Sequence, residues 1–419
     1  MSLPIPIGID NFRKLREGRF EYVDKTHLIQ EILDKRAVEV MFLPRPRRFG
    51  KSLNLSTLRY FFEKRDEDLW HLFEGLSIAR AGEQYRQHFQ RYPVIAMSFK
   101  GTKGETLDVC RERIRIKIQD LYHEHRALLD EGRLDEWDAA DFRAILGGSA
   151  SDVLYGASLL KLTRYLHRAH GTPVVVLIDE YDEPIHAAYL YGYAAPILDF
   201  FRAFLTDGLK DNPHLHRGVL TGILRVAKES IFSDLNNLGV YTLLSGDFNT
   251  SFGFTEPEVE ALLHRAGVPE LLAPVRAHYN GYLFGGQAVY NPWSILSLPR
   301  RPGRPGVVLE LKAARRGEKT LARALQEGLS QIRRGDYEAE LRAAGVVDVR
   351  SYVIAFDGKR VQVKPGGPAA PKKAARKAAP PRARKAATGK AAAGKAASGK
   401  TATPRAGARK KAGTTKRRG

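Results

Sequence analysis

The sequence predicts an α/β protein built on a parallel sheet of the phosphate-loop type, and three observations carry that reading. The apolar run Val38-Glu-Val-Met-Phe-Leu43 leads into the basic loop Pro44-Arg-Pro-Arg-Arg-Phe-Gly-Lys-Ser52, followed by Leu53, Leu55, Leu58, Phe61 and Phe62 at helical spacing. A second apolar run, Pro173-Val-Val-Val-Leu-Ile178, ends on Asp179 and Glu180. Between the two, strand-like and amphipathic helical stretches alternate, as they do in sheets with helical crossovers.

A loop that holds phosphate needs backbone N–H groups at a helix N-terminus, a lysine reaching the β- and γ-phosphates, and a hydroxyl for Mg²⁺. Gly50, Lys51 and Ser52 supply the end of that pattern, and Arg48 is a further candidate phosphate contact. The common spacing G-x-x-x-x-G-K-[ST] would put a glycine at position 45, where Arg45 stands. An apolar strand can deliver Asp179 to the C-terminal edge of the sheet, onto a magnesium shell beside Ser52. Glu180, next along, is placed to polarise an attacking water, which makes Glu180 and Lys51 the candidate catalytic pair. Four acids at one strand end cannot all be ligands, so Asp182 and Glu183 are expected to begin a helix or lie in a solvated loop.

In chain order, residues 7–12 and 22–26 precede a helical pattern through Leu28, Ile29, Ile32 and Leu33, a segment that could flank an adenine. Residues 92–99 read as a strand, 106–129 and 157–168 as helices, with an acidic helical segment around Trp137. Gly218-Val-Leu-Thr-Gly-Ile-Leu224 reads as a buried strand carrying Thr221 where nucleotide hydrolases often hold a γ-phosphate-sensing group. Arg225, Lys228 and Ser230 follow it as surface charges or phosphate contacts. A last strand is expected at 240–245, then a helix at 256–267 opening a small helical subdomain that ends in the aromatic turns around Tyr282 and Trp293, expected to pack.

Composition bounds the partners. With 43% hydrophobic residues and a single cysteine, Cys110, the chain has ample core material and no internal disulfide or cysteine-built zinc cluster, which suits a reducing cytoplasm. No run approaches the roughly 18 apolar residues of a membrane helix, and the first residues lack a targeting pattern. The net charge of +21 is unevenly spread: residues 366–419 hold 17 of the 68 basic residues and no acid, leaving 51 against 47 acids before them. That tail has no aromatic residue and, proline apart, no aliphatic one larger than alanine, so it is expected to be disordered and to bind DNA or another polyanion through phosphates without reading bases.

The segments Tyr22-Val-Asp-Lys-Thr26, Arg45 to Ser52, Ile178-Asp-Glu-Tyr-Asp-Glu-Pro184, Asn280-Gly-Tyr282 and Asn291-Pro-Trp293 together resemble the bacterial AAA-ATPase-like family, over residues 4–363. The resemblance implies a P-loop ATPase of the additional-strand type, with ATP and magnesium on Lys51, Ser52, Asp179 and Glu180. It makes Arg45 ordinary at its position, and it implies a C-terminal PD-(D/E)XK nuclease-like domain. Val307-Val-Leu-Glu310-Leu-Lys312 puts Glu310 and Lys312 on one strand face, Gln331 and Tyr337 follow on a helical stretch, and 352–356 reads as another strand. In such a nuclease Glu310 would bind metal and Lys312 would orient water. No aspartate occurs between Asp247 and Glu310, so the metal shell lacks its other acid and the module is expected to be truncated, vestigial and unable to cut DNA.

The expected organisation is thus an ATPase domain at 1–250, a small helical subdomain at 251–297, the nuclease-like remnant at 298–364 and the tail at 365–419. The expected activity is magnesium-dependent ATP hydrolysis in the cytoplasm, with nucleoid association through the tail. A nucleotide-gated switch or scaffold without turnover is the alternative, an active endonuclease is disfavoured, and the oligomeric state stays open.

Overall fold

Burial on both faces explains why the central strands read as unbroken apolar runs. In the computed structural model, β1 (Val40–Pro44) is buried at all five positions and β3 (Val174–Asp179) at all six. They belong to a five-stranded sheet with β2 (Val94–Ser98), β4 (Leu215–Gly222) and β5 (Leu238–Val240), in the order β2-β3-β4-β1-β5 and parallel throughout. Side chains alternate between two cores. Val40, Phe42, Ile95, Val176 and Ile178 meet the helices Leu107–Glu124, Ser158–His170 and Ala194–Leu209 on one face. Met41, Leu43, Val175, Leu177 and Val219 meet Phe12–Glu17, His27–Asp34 and Lys51–Phe62 on the other.

Strand register sets the site. Leu43 pairs with Thr221, Ile178 with Leu220, and Ser98 with Asp179, so Ser98, Asp179, Thr221 and Leu43 form one row at the C-terminal edge of the sheet. β4 lies between the loop strand and the acid strand and carries Thr221 into the gap between them.

The structure describes residues 3–6, 8–223, 237–278, 281–297, 306–313, 321–335, 349–357 and 360–365, all within the unit Met1–Gly367. Leu224, Arg225, Lys228, Ser230, Asn280, Tyr337 and the basic tail lie outside the described residues, as do residues 298–305.

Three expectations change. The strand expected at 240–245 is instead β5, ending at Val240: Tyr241 gives one N–H to the Phe42 carbonyl, its own carbonyl accepts from Arg45, and the chain turns at Thr242–Ser245. The helix expected over 106–129 breaks at His125 into Leu107–Glu124 and Ala127–Asp130. The stretch 251–297, expected to be helical, also holds a three-stranded antiparallel sheet of β6 (Phe254–Thr255), β7 (Tyr282–Phe284) and β8 (Gln287–Tyr290), in the order β6-β8-β7. Its helix Glu256–Arg265 begins on a capping box of Thr255 and Glu258, and Pro292–Ser297 closes it.

Further on, β9 (Gly306–Ala313) runs parallel to β10 (Val349–Asp357), and β11 (Arg360–Pro365) pairs antiparallel with β10. The helix Leu321–Gly335 covers one face through Leu325, Leu329, Ile332, Val353 and Ala355. The opposite face leaves Leu309, Leu311, Phe356, Val361 and Val363 exposed.

Candidate functional site

The loop between β1 and the helix Lys51–Phe62 is held by Arg45. The guanidinium is 0% exposed and donates to the carbonyls of Pro44 (2.8 Å), Tyr241 (2.7 Å) and Phe248 (2.9 Å), and it lies over the rings of Phe252 (4.9 Å) and Phe284 (5.4 Å). Burial pulls it down to about 10, which leaves it charged at neutral pH. Arg45 is therefore a post that ties the loop to the chain after β5. Gly50 caps the helix at φ 83°, and an added side chain there would meet strain from the backbone, not from neighbours.

Lys51 is buried and donates to the carbonyls of Arg45 and Pro46, both at 3.0 Å. Its ammonium thus lies under the loop, where the phosphates of a bound nucleotide would replace carbonyls as acceptors. Burial lowers its pKa, opposed by the carboxylates of Asp179, Glu180 and Asp182. Next in the chain, Ser52 donates to Asp179 Oδ2 at 2.5 Å, and Thr221 donates to Asp179 Oδ1 at 2.5 Å. The three residues picked from three separate segments of sequence form one hydrogen-bonded unit.

Glu180 takes φ 51°, uncommon for a side chain with a Cβ and confined to positions that the surroundings over-determine. Burial pushes its carboxyl up to about 7, helped by a hydrogen bond with Glu183 and the charge of Asp179. Glu183 also accepts from the Gly101 N–H at 2.8 Å. Asp182 begins the helix Asp182–Tyr191, as expected, but it is buried, not solvated: its Oδ2 accepts from the Ile223 N–H at 2.8 Å. Gly222 is required there, because a Cβ would stand 2.8 Å from Asp182 Oδ1.

A cavity of about 440 Å³ opens beside this unit and meets it at Ser52, within the size range of small-molecule sites. Gly50, Lys51, Ser52 and Glu180 form its floor, and Ile9, Tyr22, Val23, Phe254 and Trp293 wall it. Gly8, Ile9, Asp10, Tyr22, Val23 and Lys25 line the same cavity as the loop. Residues 282–293 also reach the loop. Asn291 Nδ2 donates to the Arg47 carbonyl (3.3 Å), the Arg48 guanidinium lies 4.6 Å from the centre of the Trp293 ring, and Phe49 packs edge-on to Tyr282 at 5.0 Å. The signal was present in Asn291-Pro-Trp293, which reads as an aromatic turn that packs but not as a partner of a loop 244 positions earlier.

Magnesium in nucleotide sites uses one or two carboxylates plus substrate phosphates, not a cage of protein ligands. Ser52 and Asp179 beside the cavity are a donor pair of that kind, and no cluster of three or more His, Cys, Asp or Glu side chains forms a metal site among the described residues.

The second expected constellation also comes together. Lys312 Nζ stands 3.0 Å from Glu310 Oε1 and donates to Gln331 Oε1 at 2.5 Å. Gly328 lets the helix approach so closely that a Cβ there would meet Val353 Cγ1 at 2.4 Å and Glu310 Cγ at 3.4 Å.

No helix among the described residues is long and apolar enough to cross a membrane. No solved structure matches the chain. It is 33% identical over 367 residues to a protein of Azotobacter chroococcum mcd 1 described as an uncharacterized protein in the vnfD 5' region, an overlap that takes in 84% of this chain and 62% of that relative's length. The model of the family described as predicted AAA-ATPase matches residues 6–232, the segment that contains the loop, β1 to β4 and the Ser52–Asp179–Thr221 unit, and on that match the chain belongs to the AAA-ATPase-like family.

Proposed function

We propose that this protein binds ATP with magnesium in the cavity over Gly50–Ser52 and hydrolyses it. The observation that carries the reading is the Ser52–Asp179–Thr221 unit beside a lysine whose acceptors among the described residues are carbonyls of its own loop. In the bound state Lys51 exchanges those carbonyls for phosphate oxygens, which make stronger, charge-assisted partners. Ser52 and Asp179 are the residues that would hold the metal, which neutralises charge on the transferring phosphoryl group. Thr221 fixes the Asp179 carboxylate and stands ready to meet the γ-phosphate. Glu180, with a carboxyl near neutrality and a constrained backbone, accepts the proton of the attacking water. Residues 1–250 are the ATPase domain in this reading and 251–297 its closing subdomain.

Residues 298–364 are a degenerate nuclease-like module in the same reading, since Lys312 is neutralised by Glu310 with no second acid alongside among the described residues. The basic tail supplies sequence-independent DNA affinity. Each contacted phosphate contributes about −0.9 to the slope of log K against log salt, so cutting the chain after Lys364 is expected to flatten the slope while ATP turnover persists. Unchanged affinity would put the DNA site on the folded part.

The activity itself is tested by steady-state phosphate release from purified protein with ATP and Mg²⁺. Turnover that requires Lys51 supports an ATPase. Tight ATP binding without turnover would replace it with a nucleotide-gated switch.

A further inference from the structure

The contact between the phosphate loop and the subdomain has no role in the reaction as described above. Arg48 sits at φ 68° at the mouth of the cavity, and no carboxylate pairs with it among the described residues. Its partner is a ring: the guanidinium lies 4.6 Å from the centre of Trp293, which is 40% exposed. The neighbouring loop carbonyl, Arg47, is held by Asn291, whose Oδ1 also accepts from the N–H of Trp293 at 3.0 Å and so sets the helix Pro292–Ser297. Loop residues 47 and 48 are therefore tied to one three-residue turn of the subdomain, and that turn lines the same cavity through Pro292 and Trp293.

We propose that Trp293 is the resting partner of Arg48, and that the polyphosphate chain of ATP takes Arg48 off the ring and thereby signals occupancy to the subdomain; the proposal rests on the nucleotide reading above. The relative strengths favour the exchange. A cation on an exposed ring gains about two- to fivefold, or about 0.4–1 kcal/mol at 1.4 kcal/mol per tenfold. A charge-assisted bond to phosphate gains about ten- to a hundredfold. Arg48 thus leaves the ring when phosphate is present and returns when it departs. Trp293 acts through Arg48 and is a positioning residue. Its release frees one side of the turn that holds Arg47, which is how a change of a few ångströms at the phosphate would loosen the grip of the subdomain on the loop.

The test uses the full chain, a non-hydrolysable ATP analogue with Mg²⁺, and two independent readouts: equilibrium dialysis for occupancy and tryptophan emission for the exchange. In the parent, emission is expected to change in step with occupancy. In Trp293→Phe, occupancy should persist while the emission change is lost. Arg48→Ala should bind about tenfold more weakly and, at saturation, show no emission change. Trp293→Ala should bind the analogue about two- to fivefold more tightly, since no stack must be broken. Binding weakened about tenfold in Trp293→Ala would give the ring to the base and overturn the exchange, as would full occupancy of the parent with no emission change. No occupancy in the parent at all would overturn the nucleotide reading and the exchange with it.

Discussion

Two places in this molecule set a lysine against carboxylates delivered by a strand, and they are built to opposite ends. At the first, Lys51 takes carbonyls of its own loop, Asp179 holds two hydroxyls, and a cavity lined by Lys51 and Ser52 lies alongside. At the second, Lys312 is closed onto Glu310 and Gln331. In the first site the charges have partners that a phosphate can displace at small cost. In the second each charge already has an opposite or polar partner, so an incoming anion would have to break an ion pair to gain one. A lysine beside a carboxylate is not a site by virtue of its residues; what matters is whether their mutual partners leave an interaction to be gained.

The sharpest break between the two is expected at Glu180. Glu180→Gln should lower turnover by about 10²–10⁴-fold while ATP binding is retained, read by phosphate release and dialysis on one preparation. Binding lost with turnover would make Glu180 a ligand, not a base. A smaller effect is expected at Arg45, which the first region needs for shape, not chemistry. Arg45→Ala leaves three carbonyls, two of them buried, without their donor and should cost about 2–4 kcal/mol of stability, measured by urea unfolding. A loss of turnover at unchanged stability would give Arg45 a direct part in the reaction. The smallest effect belongs to the second region. Glu310→Ala frees one partner of a half-buried pair and should cost about 1 kcal/mol or less, with plasmid DNA left intact by parent and variant alike in Mg²⁺ or Mn²⁺. Metal-dependent cutting by the parent, lost in Glu310→Ala, would make the remnant a working nuclease.

How much of this was legible in the sequence follows from range. β1 to β4 and the helix after the loop were readable because buried parallel strands and amphipathic helices write their periods locally. Asp179, Ser52 and Thr221 were found individually for the same reason, although their meeting rests on register between strands. The strand at 240–245 failed because a buried arginine 196 positions earlier takes the Tyr241 carbonyl and the chain turns. Asp182 begins a helix as expected, while its burial was not legible, because only tertiary packing puts the Ile223 N–H against it. Trp293 escaped notice as a loop partner because nothing local distinguishes a ring that packs inward from one that receives a cation.

The most direct measurement sets the two lysines side by side: ATP binding by Lys51→Ala and by Lys312→Ala, titrated by equilibrium dialysis with Mg²⁺. Lys51→Ala is expected to lose affinity by about a hundredfold or more, from charge-assisted bonds to two phosphates, while Lys312→Ala binds as the parent does. Equal binding by Lys51→Ala and the parent, or a matching loss in Lys312→Ala, would contradict the assignment of the nucleotide to the loop at Gly50–Ser52.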